Sequence, residues 1–142
     1  MKILITGGCG FLGSNIAERF LELGEEVIVI DNLSRNGSEK NLEWLKGLSN
    51  NNNFYFHKVN IQNKEDLDQI FDTHAPLDYV CHLAGQVAMT KSINDPYNDF
   101  KTNVIGTLNV LEALRKHSPK CFLAFSSTNK VYGDLEYILK DE

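Results

Sequence analysis

The sequence predicts one doubly wound parallel α/β sheet, and three observations carry that prediction. A short apolar run, Lys2-Ile3-Leu4-Ile5, leads straight into Thr6-Gly7-Gly8-Cys9-Gly10-Phe11-Leu12-Gly13 and then into a helical pattern. Four further strand-like runs follow, each separated from the next by a segment of helical periodicity. The second run ends in an acid, Asp31, 18 positions beyond Gly13. Strands alternating with helices, without repeats or low-complexity linkers, make crossover connections in a parallel sheet the economical arrangement. The expected strand order is 3-2-1-4-5.

Each element follows from local pattern. The glycines of the opening turn have separate reasons: Gly7 or Gly8 reverses the chain, Gly10 leaves room for close main-chain approach of a phosphate, and Gly13 lets the helix lie against the strand. Phe11, Leu12, Ile16, Phe20, Leu21 and Leu23 form the apolar face of the first helix, which Gly24 stops. Glu26 to Asp31 is the second strand, Asn32 to Gly37 a loop, and Ser38 to Leu48 a weak amphipathic helix around Leu42, Trp44, Leu45 and Leu48. Phe54 to Val59 is the third strand. Asn63 is placed to cap a helix whose inner face is Leu67, Ile70 and Phe71, with Glu65 and Asp66 in its first turn. Asp78 to Leu83 is the fourth strand and delivers Ala84-Gly85-Gln86 to its carboxyl end, where open α/β sheets bind ligands. Pro96 opens a long helix on the spacing of Phe100, Val104, Thr107, Leu108, Leu111 and Leu114, and Lys120 to Phe125 is the fifth strand. It leads to Ser126-Ser127-Thr128.

Composition narrows the ligand. The 142 residues are enough for one core, and the formal net charge of -5 is spread along the chain, which gives nucleic acid and anionic membrane no electrostatic support. A small molecule is the expected partner. Cys9, Cys81 and Cys121 are widely spaced, without a C-x-x-C pair or a His cluster, and read as small buried thiols in a reducing cytoplasm, with no metal. The opening apolar run is too short for a signal-peptide core, and no later stretch is long enough to span a bilayer. The unpaired N–H groups at a helix start, with the positive end of its dipole, suit a pyrophosphate. A carboxylate at the distance of Asp31 suits the adenosine ribose hydroxyls, so a dinucleotide is the natural occupant.

Four motifs, TGGCGFLG from Thr6, DNLS from Asp31, HLAG from His82 and FSSTNKVYG from Phe125, together with NVIGTLNVLEA from Asn103, are similar in order and spacing to those of the extended short-chain dehydrogenase/reductases. That is the family of NAD-dependent sugar-nucleotide epimerases and dehydratases, and the likeness covers essentially the whole chain. HLAGQVAMTKS from His82 and SSTNKVYGDLE from Ser126 further resemble the branch that inverts carbon 2 of CDP-sugars. The resemblance implies a Rossmann fold, bound NAD and a nucleotide-sugar substrate, with a CDP-sugar favoured. The implied reaction is transient oxidation of a sugar carbon, exposure of the keto sugar on its other face, and re-reduction.

Carried over by position, the resemblance puts Gly7, Gly10 and Gly13 at the pyrophosphate, with Phe11 and Leu12 supplying helix-start N–H groups. It puts Asp31 and Asn32 at the ribose and Asn60 and Ile61 at the adenine. Asn60 stands where such proteins commonly carry an acid, yet an amide still offers a donor and an acceptor. Leu83, Ala84, Gly85 and Gln86 fall along the nicotinamide-side ribose, Ser126 at the nicotinamide side, and Asn103 on the central helix, as cofactor ligand or as a bridge between helix and backbone. His82 reads as structural. Thr128 is the implied catalytic hydroxyl, hydrogen-bonded to the sugar oxygen, and Asn129 is implied to touch the sugar.

The family's proton acceptor, a Tyr in Y-x-x-x-K, has no match in the expected place. Only Tyr97 to Lys101 fits by letters, and it precedes Thr128 where the family's pair follows it. Residues 1–142 are therefore expected to be an incomplete NAD-binding domain, without the last strand and the sugar-binding lobe, and inactive alone. Family dimers pair through long helices, so the region from Asp95 to Lys116 is expected to be an apolar half-interface of a homodimer or higher homo-oligomer. Asn129-Lys130 after Thr128, where dehydratases carry an acidic pair, favours an epimerase over a UDP- or dTDP-sugar 4,6-dehydratase. The same motifs also accommodate a UDP- or dTDP-sugar 4-epimerase, and the glycine turn with its acid accommodates a non-catalytic NAD-binding module.

Overall fold

The computed structural model describes residues 1–48 and 53–127. Five strands, β1 (Lys2–Thr6), β2 (Glu26–Asp31), β3 (Phe54–Lys58), β4 (Tyr79–His82) and β5 (Phe122–Phe125), form one sheet in the expected order β3-β2-β1-β4-β5. All four pairings are parallel, with Leu4 opposite Ile28 on one side and Val80 on the other. Because β1 is flanked by β2 and β4, the strand order reverses there. A crevice opens at the carboxyl ends of β1 and β4.

The central strands are buried on both faces, which is why they read as continuous apolar runs. Leu4, Ile28, Ile30 and Val80 face a cluster built with α3 (Lys64–His74) and α6 (Gly106–His117). Ile3, Ile5, Val27 and Val29 face a second cluster with α1 (Phe11–Glu22) and α2 (Ser38–Leu48). Fully buried Leu67 and Phe71 of α3 each stabilise the first cluster by about 1.5–3 kcal/mol. Asn63 caps α3 as expected, its side chain accepting from the Asp66 N–H at 3.4 Å.

Three helical faces differ from the expected ones. On α1 the buried residues are Gly13, Ser14, Ala17 and Leu21, while Phe11 and Leu12 at its start and Leu23 at its C-cap are exposed. Small residues let this helix approach the turn before it, and a count of apolar positions cannot register that. On α2, Leu42 and Leu45 are buried, with Trp44 and Leu48 at the margin. The long helix expected from Pro96 is present without a break as α5 (Pro96–Phe100), a π-helical turn over Lys101–Ile105 and α6, and a short α4 (Met89–Asn94) precedes it.

The π turn has local causes. The Thr107 hydroxyl donates to the Asn103 carbonyl at 2.7 Å, competing with the regular backbone ladder. At the turn's end, a Cβ on Gly106 would lie 2.6 Å from Ile61 Cδ1, so the backbone there is pressed against a core side chain. The core-facing side of α6 is Gly106, Asn109, Val110 and Ala113, whereas Phe100, Val104, Leu108 and Leu111 form an exposed stripe. Asn109 takes an inward position because its Nδ2 donates to the carbonyls of Ile61 (3.0 Å) and Gln62 (3.2 Å).

Candidate functional site: the carboxyl edge of the sheet

The glycine turn is shaped by contacts with its own backbone. Gly7 has φ +71°, its N–H donates to the Ile30 carbonyl at 2.7 Å, and a Cβ there would lie 2.8 Å from Ala84 N. A Cβ on Gly13 would lie 2.3 Å from the Gly7 carbonyl oxygen. The absent side chain at Gly13 thus lets α1 close on the turn itself, a correction to the reading that it lets the helix lie on the strand. Gly8 has its own reason, since a Cβ would lie 2.6 Å from Val29 Cγ1. Gly10 N-caps α1 and donates to the Gly7 carbonyl at 3.0 Å, and the first-turn N–H groups that follow have no partner within the helix.

Asp31, at the end of β2, is tied to this turn. Its Oδ2 accepts the Cys9 N–H at 3.0 Å and its Oδ1 accepts the Leu33 N–H at 2.8 Å. A carboxylate has about four acceptor sites, so two remain. The Cys9 carbonyl accepts from Asn41 Nδ2 at 2.9 Å, which anchors the turn to α2 as well. Burial, and next the Asp31 charge, push the Cys9 thiol up to about 12; burial likewise raises Cys121 to about 11 and raises Cys81. Only Cys9 is fully buried, so the expectation of three buried thiols is corrected for half-buried Cys81 and Cys121.

These groups border a cavity of about 350 Å³ in the crevice. Ten of the sequence-predicted residues line it: Gly7 and Gly10 from the turn, Asp31 at the end of β2 with Asn32 next to it, Asn60 and Ile61 after β3, and Leu83, Ala84, Gly85 and Gln86 after β4. Asn60 Oδ1 accepts the Gln62 N–H at 3.0 Å, and most of Ile61 is core. Sequence reasoning missed Ser34, Ser38, Gln62, Asn98 and Thr102 as lining residues. Gln62 Nε2 donates to Asn98 Oδ1 (3.1 Å) and Thr102 Oγ1 (2.8 Å), closing one side of the cavity across two elements. No local motif announces that bridge. A smaller cavity of about 260 Å³ lies between α3 and α6, where charges pair with each other, as in Lys116 with Asp68 and Arg115 with Glu112.

Behind the Leu83–Gln86 wall, His82 is 1 % exposed, with Nδ1 2.6 Å from Thr6 Oγ1 and Nε2 2.9 Å from Thr107 Oγ1. Burial pushes its pKa down to about 4, so the ring is neutral at neutral pH. Asn103 sits behind the wall and does not line the cavity. Its Oδ1 accepts the Gln86 N–H at 2.8 Å, and its Nδ2 reaches Asp99 Oδ1 at 3.1 Å and the Gln86 carbonyl at 3.4 Å. These bonds form the bridge between helix and backbone, one of the two roles weighed for Asn103. Phe11, Leu12 and Gly13 lie at the start of α1, outside the cavity lining. Ser126 follows β5, with its N–H on the His82 carbonyl at 3.2 Å. Thr128 and Asn129 lie outside the described residues. Among the described residues no three His, Cys, Asp or Glu side chains are grouped to hold a metal, and no helix is long and apolar enough to cross a membrane.

A five-stranded parallel sheet of this order, with a glycine turn, a strand-end acid and a crevice at the switch point, defines the class of dinucleotide-binding Rossmann domains. The profile of the GDP-mannose 4,6 dehydratase family matches residues 4–142, and the chain belongs to that family, within the extended short-chain dehydrogenase/reductases. It is 55% identical over 136 residues to CDP-paratose 2-epimerase of Salmonella typhi, covering 96% of this chain and 39% of that protein. Among solved structures, it is similar to UDP-glucose 4-epimerase of Thermotoga maritima with UDP-glucose, at a TM-score of 0.77 and 43% identity, over 90% of this chain and 38% of that one. The UDP-glucose 4-epimerase of Thermus thermophilus in complex with NAD gives a TM-score of 0.69 and 38% identity, over 82% of this chain and 34% of that one. The chain thus spans about two-fifths of the length of the curated relative and less than that of the two solved structures.

Proposed function

We propose that the chain is the NAD-binding part of an NAD-dependent nucleotide-sugar epimerase, and that the substrate is a CDP-sugar inverted at carbon 2, CDP-paratose to CDP-tyvelose. The observation that carries the NAD reading is the single cavity joining a side-chain-free turn, a carboxylate with acceptor sites to spare, and a wall of backbone at the carboxyl end of β4, and the 55% identity to CDP-paratose 2-epimerase supports the sugar. Those features fit a dinucleotide. When bound, NAD supplies the hydride acceptor, and in reduced form the donor, for a sugar carbon.

The chain's own residues bind and orient. Gly7, Gly10 and Gly13 keep the turn open and close-packed, and the N–H groups of Phe11 and Leu12 face the pyrophosphate with the positive end of α1. Asp31 and Asn32 accept from the adenosine ribose hydroxyls. Asn60 and Ile61 border the adenine; the Asn60 oxygen is already bonded to Gln62, so its amide NH₂ has the hydrogen-bonding capacity left. Leu83 to Gln86 follow the second ribose, with Asn103 holding Gln86, and Ser126 supports the nicotinamide side. Thr128 hydrogen-bonds the sugar oxygen as it becomes a carbonyl, and Asn129 contacts the sugar. The free cysteines suit a cytoplasmic protein. The exposed stripe of Phe100, Val104, Leu108 and Leu111 suits a homodimer face.

The test is product chromatography with the full-length protein on CDP-paratose, alongside calorimetry with NAD. CDP-tyvelose formation, lost in Thr128→Val by on the order of 100-fold or more in rate, is the expected result. Similarity to UDP-glucose 4-epimerases supports a second reading, 4-epimerisation of a UDP-sugar. Turnover of UDP-glucose with CDP-paratose untouched would select it. NAD binding without turnover of either sugar would select a non-catalytic module.

A further inference from the structure

The hydrogen atoms in the chain behind the cavity wall have one consistent assignment. The Asn103 carbonyl can only accept, so the Thr107 hydroxyl must donate its one hydrogen there, at 2.7 Å. Toward His82 the Thr107 oxygen is then an acceptor, and Nε2, 2.9 Å away, must carry the ring hydrogen. A neutral ring with Nε2–H leaves Nδ1 bare, so the Thr6 hydroxyl donates to it at 2.6 Å. That turns the Thr6 lone pairs toward the N–H groups of Leu83 and Ala84, both 3.3 Å away. The near end of the wall is held by Thr6 and the far end by Asn103, and His82 links the two holders.

We propose that His82, locked as the Nε2–H tautomer by Thr107, is a positioning residue that sets the Leu83–Gln86 wall for the nicotinamide half of the dinucleotide. The inference rests on the proposed NAD reading. It also assigns a task to the π turn, which carries Asn103: the Asn103 carbonyl accepts the Thr107 hydroxyl that meets His82, and the Asn103 side chain clamps Gln86. The adenosine half is held by groups from other elements, so the two halves of the ligand should respond differently when the chain is cut.

Long-range ¹⁵N spectra of the full-length protein should show one histidine ring with a protonated Nε2 and a bare Nδ1, assigned to His82 by its loss in His82→Gln. Thr107→Val, which removes the acceptor at similar shape, should mix the tautomers. It should weaken NAD binding by about tenfold, the effect of one lost hydrogen bond, and leave ADP binding within about twofold. Thr107→Ser should restore the tautomer and the NAD affinity. A wild-type His82 carrying its hydrogen on Nδ1 would overturn the inference even if the variants fail to fold. Equal losses for ADP and NAD in Thr107→Val, or no loss for NAD, would overturn it while the NAD reading stands. A wild-type protein binding neither nucleotide would overturn both.

Discussion

The Cys9 N–H donates to Asp31 Oδ2 at 3.0 Å, so the residue at the middle of the glycine turn is bonded to the acid that ends the next strand. This couples the glycine turn to the β2 side of the cavity. Asp31 both shapes the turn and lines the cavity, so on the proposed reading it serves structure and binding together. Asp31→Asn keeps the shape but loses the charge and one accepting oxygen. Charged hydrogen bonds contribute about 1.5–3 kcal/mol each, so NAD affinity measured by calorimetry should fall on the order of 10- to 100-fold. Asn41→Ala, which frees the Cys9 carbonyl, should cost less, about tenfold or below.

On the proposed NAD reading, Asp31 also sets cofactor choice. A 2′-phosphate would meet its carboxylate, with Arg35 of the same cavity the nearest compensating charge in sequence. NAD should therefore raise the melting temperature more than NADP at equal concentration. Ligand at a hundred times its Kd adds about 2.7 kcal/mol. Equal shifts would show that Arg35 neutralises the acid, and Arg35→Ala would then restore the preference.

The glycines separate into those that space demands and those that it does not. Gly13→Ala places a methyl 2.3 Å from the Gly7 oxygen and 2.7 Å from Gly8 Cα, both backbone atoms that cannot turn aside. It should destabilise by about 1–3 kcal/mol or more and abolish dinucleotide uptake. Gly47 in α2 has nothing within 4 Å of a Cβ, so Gly47→Ala should stabilise by about 0.5–1 kcal/mol. Urea melts of the two variants should move in opposite directions.

Stability should fall with acid before the carboxylates titrate. Burial depresses His82 to about 4 and also lowers His57 and His74, whose Nε2 atoms lie 2.8 Å apart. The unfolded chain takes up these protons first. No penalty exists above about pH 6.5, the ordinary histidine value, and for His82 it grows as pH falls from there to about 4. His82 alone accounts for about 3 kcal/mol of that loss. His82→Gln should flatten the slope of stability between pH 6.5 and 4, measured by denaturant melts.

The stripe of Phe100, Val104, Leu108 and Leu111 lies on the side of α6 and its approach that faces away from the sheet. A Leu108→Lys variant should shift the full-length protein toward monomer on light scattering, with little change in melting temperature, because Leu108 is 52% exposed and outside both core clusters.

Most of the architecture and ten of the residues that line the cavity were legible in the sequence, for a physical reason. Parallel strands buried on both faces must be continuous apolar runs, and a phosphate turn must use glycines, so both leave short-range marks. The helical faces were less legible. On α1 the inward positions are small residues, and on α6 one of them is Asn109, satisfied by carbonyls from the loop after β3; composition does not reveal such partners.

Chain order and residue type by themselves determined the strand order, the glycine turn, the acid that ends β2 and the small-residue turn after β4. Tertiary structure alone decided that Gly13 answers to the Gly7 carbonyl, that Asn103 holds Gln86 from behind the wall, that Gln62 bridges to Asn98 and Thr102, and which hydrogen His82 carries. Those relationships join groups from separate elements at hydrogen-bond range. Local periodicity sets which residues point inward, but a directional bond between two of them exists only after packing has fixed both partners.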